Sequence, residues 1–275
     1  MTNLKYLNEL ESFKGNWGLI TGASSGIGLE YAKRLARIGM NLVLVARNQG
    51  PLNAVAQELE KENHIQTRVI SADLAQPKNS IKIAEALKAE GIRIRFLCHS
   101  AGFGNWGSFI EGDSEVLTNL VNLNTKSLIE LLLRFHDDLA SHATSAVVIV
   151  SSRAGLHPMP TMAVYAAAKS FAQSLAQALN VEWENEGIYV QALMPGAVDT
   201  ALQTNQILLA KGILGKDEMQ TPKDVVDASL WGFAQKKIRV MTGKGTAMQR
   251  FFSTVLPTRL YLRLVKNRYS INHLS

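Results

Sequence analysis

A glycine-rich turn between an apolar strand and a helix constrains the fold of this chain more than any other feature. The segment Asn16 to Thr21 predicts a strand, the run TGASSGIG carries glycines at 22, 26 and 28, and Leu29 to Ile38 predicts a helix. Glycines allow a sharp turn whose backbone can approach a phosphate, and the helix N-terminus then offers unpaired N–H groups to a pyrophosphate. The sequence therefore predicts a dinucleotide-binding loop built from Gly22, Ser24, Ser25, Gly26, Ile27 and Gly28.

Strand-like and helical segments alternate along most of the chain, from about residue 16 to residue 240. This alternation predicts a parallel sheet wrapped by helices, an α/β fold of the doubly wound (Rossmann) type. The chain has 275 residues, of which 47% are apolar and 19% charged, so it can bury one large core. We therefore expect a single domain over residues 1–245, followed by a C-terminal extension over residues 246–275.

Basic charge is concentrated in that extension and just before it. Nine basic residues and no acidic residue follow Asp227, although the net charge of the whole chain is only +6. A basic tail on a slightly acidic domain argues against a nucleic-acid-binding protein, in which the main domain carries the charge. The aromatic and basic segment Thr246 to Tyr269 leaves two interpretations open. In the first, which we expect, the segment packs over the core or at a subunit contact. In the second, it rests on an anionic membrane surface.

Cysteine usage and hydropathy bear on the compartment. The single cysteine, Cys98, excludes an internal disulfide and indicates a reducing compartment. Residues Met1 to Lys14 have no apolar core of signal-peptide length, and no stretch approaches the ~20 apolar residues of a membrane span. We expect a cytoplasmic protein. No metal is expected either, because the six histidines are scattered without the spacing of ligands.

The end of the second predicted strand bears on the choice of cofactor. Asn41 to Val45 is followed by Ala46 and Arg47, close to the ~20-residue distance at which an acidic residue would bind the ribose hydroxyls of NAD. Arg47 instead offers a forked cation to a 2′-phosphate, which favours NADP(H), with Asn48 as a candidate second contact. A surface arginine without a role is the alternative.

A serine, a tyrosine and a lysine supply the groups that carbonyl chemistry needs. Ala146 to Val150 predicts a buried strand that ends at Ser151 and Ser152. Tyr165 and Lys169 follow at i and i+4 of an alanine-rich helix, and therefore on one helix face. Reduction of a carbonyl requires a hydride donor, a proton donor and a group that polarises the carbonyl oxygen. A lysine beside the phenol should lower the tyrosine pKa from ~10 towards the working range.

Together these motifs resemble the short-chain dehydrogenase/reductase family over about residues 15–240. The resemblance rests on the TGxxxGxG spacing, on Asp73-Leu74 after the third strand, on Ala101-Gly102 after the fourth and on Pro195 to Thr200 after the sixth. It implies an oxidoreductase that transfers a hydride between NADP(H) and a carbonyl or secondary alcohol. Homo-oligomers are usual in the family, so a homodimer or homotetramer is expected.

The resemblance also implies roles for individual residues. The family's catalytic tetrad falls on Asn124, Ser152, Tyr165 and Lys169, with Ser152 rather than Ser151 in the catalytic place. Asn124 would hold a water that links Lys169 to solvent. The cofactor would contact Gly22, Ser24, Ser25, Gly26, Ile27, Gly28, Arg47, Asp73, Leu74, Ala101, Gly102, Tyr165, Lys169, Pro195, Gly196, Val198 and Thr200. Taken alone, Asp73 is also compatible with a helix cap, Asn124 with an ordinary polar helix residue and Pro195-Gly196 with a turn.

Two adjacent positions depart from the family. His99 and Ser100 stand where the family usually has two asparagines. The first of those amides commonly ties neighbouring strands together, so the hydrogen bonding here should differ. We expect a structural role for His99 rather than a catalytic one.

The substrate is much less constrained by the sequence. Candidate pocket walls are mostly apolar: Phe103, Trp106, His157, Met159, Met162, Met194 and the lid-like stretch Ala201 to Leu214. They favour an apolar ketone or aldehyde, and ordinary core packing is the alternative for about half of them. Phe103-Gly104 and Val164 to Phe171 resemble a broad bacterial subgroup of uncertain substrate. Two other functions stay open: a non-catalytic dinucleotide-binding regulator, and a membrane-surface reductase of lipid carbonyls.

Overall fold

The computed structural model describes residues 10–200, 207, 209–210, 212, 214–245 and 255–269. In this part of the chain seven parallel strands form one sheet in the order β3-β2-β1-β4-β5-β6-β7. The strands are β1 (Trp17–Thr21), β2 (Asn41–Ala46), β3 (Thr67–Ser71), β4 (Ile94–His99), β5 (Ser145–Val150), β6 (Ile188–Met194) and β7 (Arg239–Met241). The predicted doubly wound α/β fold is confirmed.

Helices connect the strands. The α-helices with described bounds are α1 (Gly26–Arg37), α2 (Gln49–Asn63), α3 (Asn79–Ala89), α4 (Ser114–Val121), α5 (Ser127–Ala140), α6 (Ala163–Glu182), α7 (Pro222–Ala234) and α8 (Thr258–Tyr269). A π-helical segment, Asn122–Lys126, joins α4 to α5. Short 3₁₀ turns occupy Glu11–Phe13, Arg153–Leu156, Glu184–Glu186 and Lys216–Glu218.

Two apolar layers hold the helices against the sheet, because alternate residues of each strand point to opposite faces. Ile20 and Leu44 pack on one face with residues of α1, α2 and α7. Leu19 and Val43 pack on the other face with residues of α3, α5 and α6. All residues of β5 are buried, as expected for a central parallel strand that is covered on both sides.

The strand order reverses beside β1, which pairs with β2 on one side and with β4 on the other. Thr21, the last residue of β1, lies opposite Val45 of β2 and His99 of β4. In open α/β sheets, ligands bind outside the carboxyl ends of the strands at such a reversal. The fold therefore brings the glycine loop after β1 next to the segment that follows β4.

Three further expectations concern membrane spans, metal ligands and the C-terminal extension. Among the described residues, no helix is long and apolar enough to cross a membrane. The same residues contain no group of three or more His, Cys, Asp or Glu side chains that could hold a metal ion. Of the segment Thr246 to Tyr269, residues 255–269 are described and include α8, whereas residues 246–254 lie outside the described residues.

Candidate active site

The glycine loop after β1 is set by close backbone contacts. Gly22 has a φ of +67°, and a Cβ there would lie 3.1 Å from the backbone nitrogen of Ala101. A Cβ at Gly28 would lie only 2.4 Å from the carbonyl oxygen of Gly22, because the first turn of α1 packs directly on the loop. A Cβ at Gly26 would approach the Thr200 methyl group to 2.9 Å. Side chains are therefore excluded at all three glycines.

The N-terminus of α1 emerges from this loop. Ser25 is the N-cap residue, and among the described residues its side chain forms no capping hydrogen bond. The first N–H groups of α1 and the positive end of its dipole are thus suited to an anion. Ser24 and Ile27 are half-buried beside it. The loop fits a phosphate group of a dinucleotide, because the bare backbone can approach it closely.

Arg47 lies directly after β2, at the same edge of the sheet. The Ala23 N–H donates to the Val45 carbonyl at 3.2 Å, which joins the glycine loop to the end of β2. The Arg47 carbonyl accepts a hydrogen bond from the Ser71 hydroxyl at 2.7 Å, while the residue itself is exposed. The backbone of Arg47 is therefore fixed and its guanidinium is accessible near the loop. Asn48 is exposed at the N-cap position of α2.

Asp73 and Leu74 follow β3. The Asp73 carboxylate accepts from the Ala75 N–H at 3.0 Å, and the Asp73 carbonyl accepts from the Asn79 side-chain amide at 2.9 Å. Leu74 is buried among the residues that pack on the face of α3. The carboxylate thus stabilises a local turn, and contact of either residue with a cofactor stays a prediction.

The hydroxyl of Thr21 ties β1 to the segment after β4. It accepts from the N–H groups of Ser100 and Ala101 at 3.0 and 2.9 Å, and Thr21 is fully buried. These bonds hold the Ala101-Gly102 pair against the glycine loop. We did not single out Thr21 from the sequence, although a threonine at the end of a buried strand, directly before a glycine loop, is a usable signal.

His99 is a buried structural residue. Its Nε2 lies 3.0 Å from the Ser127 hydroxyl, and that hydroxyl donates to the Leu123 carbonyl at 2.7 Å. The proton of the imidazole therefore belongs on Nε2, which donates to Ser127. Burial first, and the charge of Lys169 second, lower the pKa of His99 to about 3, so the ring is neutral at pH 7. His99 thus ties β4 to the start of α5.

Asn124 lies in the π-helical segment, a distortion that is frequent at functional sites. Its side-chain amide donates to the carbonyls of Phe103 and Leu120 at 3.1 and 2.9 Å. Its buried Oδ1 has no hydrogen-bond partner among the described residues. A Cβ at Gly102 would lie 2.7 Å from this oxygen and 3.2 Å from Lys169 Nζ. Asn124 and Lys169 therefore meet over Gly102.

Ser152, Tyr165 and Lys169 come together as the sequence predicted. The Ser152 hydroxyl lies close enough to the Tyr165 phenol to lower the pKa of that phenol. Lys169 Nζ lies 5.8 Å from the centre of the Tyr165 ring and donates to the Val150 carbonyl at 2.9 Å. Both Tyr165 and Lys169 are buried. The candidate proton donor Tyr165, the Ser152 hydroxyl and the Lys169 ammonium thus lie close together at the end of β5.

The expected effect of Lys169 on the tyrosine is not what the structure shows. Burial raises the pKa of the Tyr165 phenol, and the hydrogen bond from Ser152 opposes this rise only in part. Burial also lowers the pKa of Lys169 to about 8. The prediction that Lys169 lowers the tyrosine pKa is therefore wrong for the protein alone, because desolvation raises this pKa and the Lys169 ammonium donates to the Val150 carbonyl.

Close packing of the turn after β5 on α6 fixes this arrangement. A Cβ at Gly155 would lie 2.6 Å from the backbone of Lys169, and the Gln173 side chain donates to the Gly155 carbonyl. The buried Ser151 hydroxyl donates to the Lys169 carbonyl at 2.6 Å. Ser151 is thus occupied with the helix backbone, whereas Ser152 faces Tyr165. This agrees with the choice of Ser152 from spacing. Gly155 and Gln173 were missed from the sequence.

Arg153 joins the turn after β5 to the segment Pro195 to Thr200 after β6. Its N–H donates to the Pro195 carbonyl at 3.0 Å, and its guanidinium donates to the Lys244 carbonyl at 2.5 Å. A Cβ at Gly196 would lie 2.5 Å from this guanidinium. Val198 forms a bridge with Gln220. The Pro-Gly segment therefore lies at the same end of the sheet as Ser152, and its contact with nicotinamide stays a prediction.

Helix α8 packs on the substrate side of the domain. We expected packing of this segment over the core or a subunit contact, but its position near Tyr165 was not predicted from the sequence. Tyr261 and Val265 of α8 belong to one buried apolar cluster with Tyr165, Met159 and Met162. Phe103 and Trp106 pack on the same cluster. The His157 ring packs edge-on against Tyr261, with ring centres 4.7 Å apart.

Most of the predicted pocket walls therefore lie around Tyr165. Met194 does not, because it is fully buried in the core on the face of α3, α5 and α6. For Met194 the alternative of ordinary core packing describes the structure. In the lid-like stretch Ala201 to Leu214, residues 201–206, 208, 211 and 213 lie outside the described residues.

The fold and this grouping of side chains define a doubly wound, dinucleotide-binding type of protein. The sequence profile of the short chain dehydrogenase family matches residues 16–208. This chain belongs to that family, as its motifs suggested.

Three similar proteins illustrate the relationship. The chain is 30% identical over 192 residues to the very-long-chain 3-oxoacyl-CoA reductase of Mus musculus. This alignment covers 68% of this chain and 61% of the mouse protein. A short-chain dehydrogenase from Sphingobium yanoikuyae, solved in complex with NADPH, superposes with a TM-score of 0.76 at 33% identity, covering 88% of this chain and 97% of that one. A bulky-bulky ketone specific alcohol dehydrogenase from Comamonas testosteroni gives 0.72 at 32% identity, covering 92% of both chains.

Proposed function

We propose that this protein is an oxidoreductase that transfers a hydride between NADP(H) and a carbonyl or secondary alcohol. The observation that carries the proposal is the grouping of Ser152, Tyr165 and Lys169 at the end of β5, at the same edge of the sheet as the glycine loop. Similar proteins that cover 88% and 92% of this chain are named as a dehydrogenase in complex with NADPH and as an alcohol dehydrogenase.

The residues present fit a dinucleotide. The bare backbone at Gly22 and Gly28 and the N-terminus of α1 would bind the pyrophosphate, with Ser24, Ser25, Gly26 and Ile27 around it. Ala101 and Gly102 would contact the cofactor between the strands, and the segment with Pro195, Gly196, Val198 and Thr200 would hold its nicotinamide end. When bound, the nicotinamide supplies or accepts the hydride.

The protein's own part in the reaction is to orient the substrate and to move a proton. Ser152 and Tyr165 donate hydrogen bonds to the substrate oxygen and so polarise the carbonyl. Tyr165 gives its proton to the oxygen as negative charge develops there. Lys169, with its pKa lowered to about 8, is suited to return a proton near neutral pH. Asn124 offers its unpartnered Oδ1 next to Lys169, where it can accept a hydrogen bond from a water in the proton path.

Preference for NADP(H) over NAD(H) rests on Arg47. A 2′-phosphate needs a cation near the ribose, and an acidic residue in this place would repel it. The exposed guanidinium of Arg47, on a backbone held by Ser71, meets this need. The NADPH complex of the Sphingobium protein supports the same preference.

An apolar carbonyl compound is the proposed substrate class. The cluster around Tyr165 includes the apolar and aromatic side chains of Met159, Met162, Tyr261 and Val265. Methionines adapt their shape to different ligands. The names of the similar proteins, a very-long-chain 3-oxoacyl-CoA reductase and a bulky-bulky ketone specific dehydrogenase, agree with an apolar substrate.

A homo-oligomer is also proposed. Val121, Ile129 and Phe171 expose large apolar side chains along α4 to α6. They border a shallow apolar groove together with Thr125, Ala163, Val164, Ala167 and Ala168. Exposed apolar patches of this kind mark interaction surfaces. The cytoplasm remains the proposed location, in agreement with the one free and buried cysteine, Cys98.

A panel of small, bulky and acyl-chain ketones and alcohols, assayed by nicotinamide absorbance with NADPH and NADH, tests the proposal. We expect turnover of apolar ketones with NADPH and much slower turnover with NADH. Binding of NADPH without turnover of any member would instead support the non-catalytic regulator. Turnover only of carbonyls presented in vesicles would support the membrane-surface reductase.

A further inference from the structure

We infer that Arg153 is a positioning residue that holds the segment Pro195 to Thr200 in a fixed place relative to Ser152. The inference rests on the proposed function, in which that segment binds the nicotinamide end of the cofactor and Ser152 contacts the substrate. Arg153 would then align the nicotinamide with the carbonyl carbon without touching the substrate. Three features of Arg153 support this role: its place in the chain, the packing of its guanidinium on Gly196 and its contacts with the turn after β7.

Arg153 follows Ser152 directly, as the first residue of the 3₁₀ turn after β5. Its N–H donates to the Pro195 carbonyl at 3.0 Å. The Ser152 hydroxyl accepts from the Ala154 N–H at 3.1 Å, so the same turn also orients this hydroxyl. One short turn is therefore bonded both to the candidate catalytic serine and to the first residue of the segment that follows β6.

The guanidinium of Arg153 lies over Gly196. A Cβ at residue 196 would be 2.5, 2.7 and 2.8 Å from the Nη2, Cζ and Nε atoms of Arg153. These nearly equal distances place the face of the guanidinium, rather than one edge, over the glycine. The φ of Gly196 lies outside the positive range that favours glycine. The space that Arg153 fills, rather than backbone strain, is therefore what excludes a side chain at residue 196.

The turn after β7 also contacts the guanidinium. Arg153 Nη1 donates to the Lys244 carbonyl at 2.5 Å, and a Cβ at Gly243 would lie 3.5 Å from Arg153 Cζ. The Gly196 N–H donates to the Thr242 carbonyl at 3.1 Å, so backbone bonds join the same two segments. Gly196 is therefore held by the end of β7 as well as by the guanidinium that covers it.

The charge of Arg153 is retained although the side chain is half-buried. Burial lowers the pKa of Arg153, and an arginine nevertheless stays protonated at neutral pH. Tyr269 and Glu218 favour the charged form, whereas Arg268 opposes it. Arg153 thus acts as a flat hydrogen-bond donor and not as a titrating group. A lysine here would supply the charge and a donor but not the flat face.

Two ligands separate the nicotinamide end from the rest of the cofactor. NADPH carries both ends, whereas adenosine 2′,5′-bisphosphate carries only the adenine, ribose and phosphate groups. We expect Arg153→Met to weaken NADPH binding about tenfold, as for the loss of one charged hydrogen bond, and to leave binding of the bisphosphate unchanged. Arg153→Lys should recover part of the affinity, because it can still donate to the Lys244 carbonyl. Titration measures both dissociation constants.

Arg95→Met is the matched control. Arg95 also donates to backbone carbonyl groups, those of Ser12 and Thr144, but it lies near the amino end of β4, at the opposite end of the sheet. Its replacement should lower the free energy of unfolding and leave kcat and both dissociation constants unchanged. In Arg153→Met, kcat at saturating NADPH should fall, because the nicotinamide is no longer aligned with Ser152. Equal weakening of both ligands by Arg153→Met, or unchanged NADPH affinity and kcat, would overturn the inference.

Unfolding measures the contact between Arg153 and Gly196 without any cofactor. Gly196→Ala should lower the urea midpoint of the wild type, because the new methyl group meets the guanidinium. The same change should have little effect in Arg153→Ala, where that space is free. An equal effect in both backgrounds would show that the two residues are not coupled, and would overturn the inference. A wild type that shows this coupling but binds neither NADPH nor the bisphosphate would refute the proposed function and retain the contact.

Discussion

The cofactor half and the substrate half of this site are built in different ways. Around the glycine loop the decisive contacts join backbone to backbone, as between Gly28 and the carbonyl of Gly22 or between Gly22 and Ala101. Around Tyr165 they join side chains from distant parts of the chain, such as Met162 and Tyr261. A backbone contact leaves one permitted residue type, whereas an apolar side-chain contact leaves several. The cofactor half could therefore be predicted from the sequence, whereas the substrate half could not.

The largest effect is expected where the two halves meet. Tyr165→Phe removes only the phenolic hydroxyl, so it should lower turnover ~10²–10⁴-fold, the usual contribution of a positioned proton donor, and leave NADPH affinity near that of the wild type. Tyr189→Phe is a matched control, because the Tyr189 hydroxyl donates to the Lys237 carbonyl outside the site. Steady-state kinetics and cofactor titration distinguish the variants. Turnover of Tyr165→Phe at the level of the control would contradict the proposed mechanism.

A smaller effect is expected from breaking a backbone contact in the cofactor half. In Gly28→Ala the new Cβ lies 2.4 Å from a carbonyl oxygen, so the loop must shift. Overpacking of this kind costs about 1–3 kcal/mol, and we expect NADPH affinity to fall together with the free energy of unfolding. Gly50→Ala, in the first turn of α2, has no atom within 4 Å and should be neutral or slightly stabilising. Urea unfolding and NADPH titration of both variants test this contrast. If Gly28→Ala behaved like Gly50→Ala, the close backbone contact at Gly28 would not be needed for folding or cofactor binding.

Arg47 is the side chain that we propose determines the choice between NADP(H) and NAD(H), and its replacement tests the side-chain part of the cofactor half. Arg47→Asp should weaken NADPH binding by about 1.5–3 kcal/mol, roughly 10- to 150-fold, because it removes charged hydrogen bonds and adds repulsion. NADH binding should change much less. Arg93→Asp is the control: Arg93 is exposed just before β4, at the opposite end of the sheet. Equal losses for both cofactors in Arg47→Asp would show that Arg47 does not bind the 2′-phosphate.

Particular residues show where prediction from the sequence stopped. The order of strands and helices was predictable from apolar periodicity, and Ser152, Tyr165 and Lys169 from their spacing, because strand ends and helix turns fix where such residues lie. Tyr261 was not predictable, since its partners are about 100 residues away and nothing in its own segment points to them. The pKa of Tyr165 was predicted in the wrong direction, because burial depends on the whole fold and not on the neighbour at i+4.

The smallest effect is expected at the outer face of α8, where lipid contact was the alternative to packing. Arg259, Arg263 and Lys266 are exposed there, and Leu260 and Leu264 lie among them. Each basic residue near an anionic surface contributes about 1 kcal/mol, and 0.1 M salt screens it within ~10 Å.

We expect no stable co-sedimentation of the full chain with anionic vesicles at low or high salt, because the apolar residues Tyr261 and Val265 of α8 are buried in the protein's own apolar cluster. Deletion from Thr246 should lower the free energy of unfolding, since it uncovers the apolar cluster at Tyr165. Replacing Arg259, Arg263 and Lys266 with glutamate should leave folding and turnover unchanged. Salt-sensitive sedimentation of the wild type that this triple variant loses would show that the outer face of α8 binds lipid.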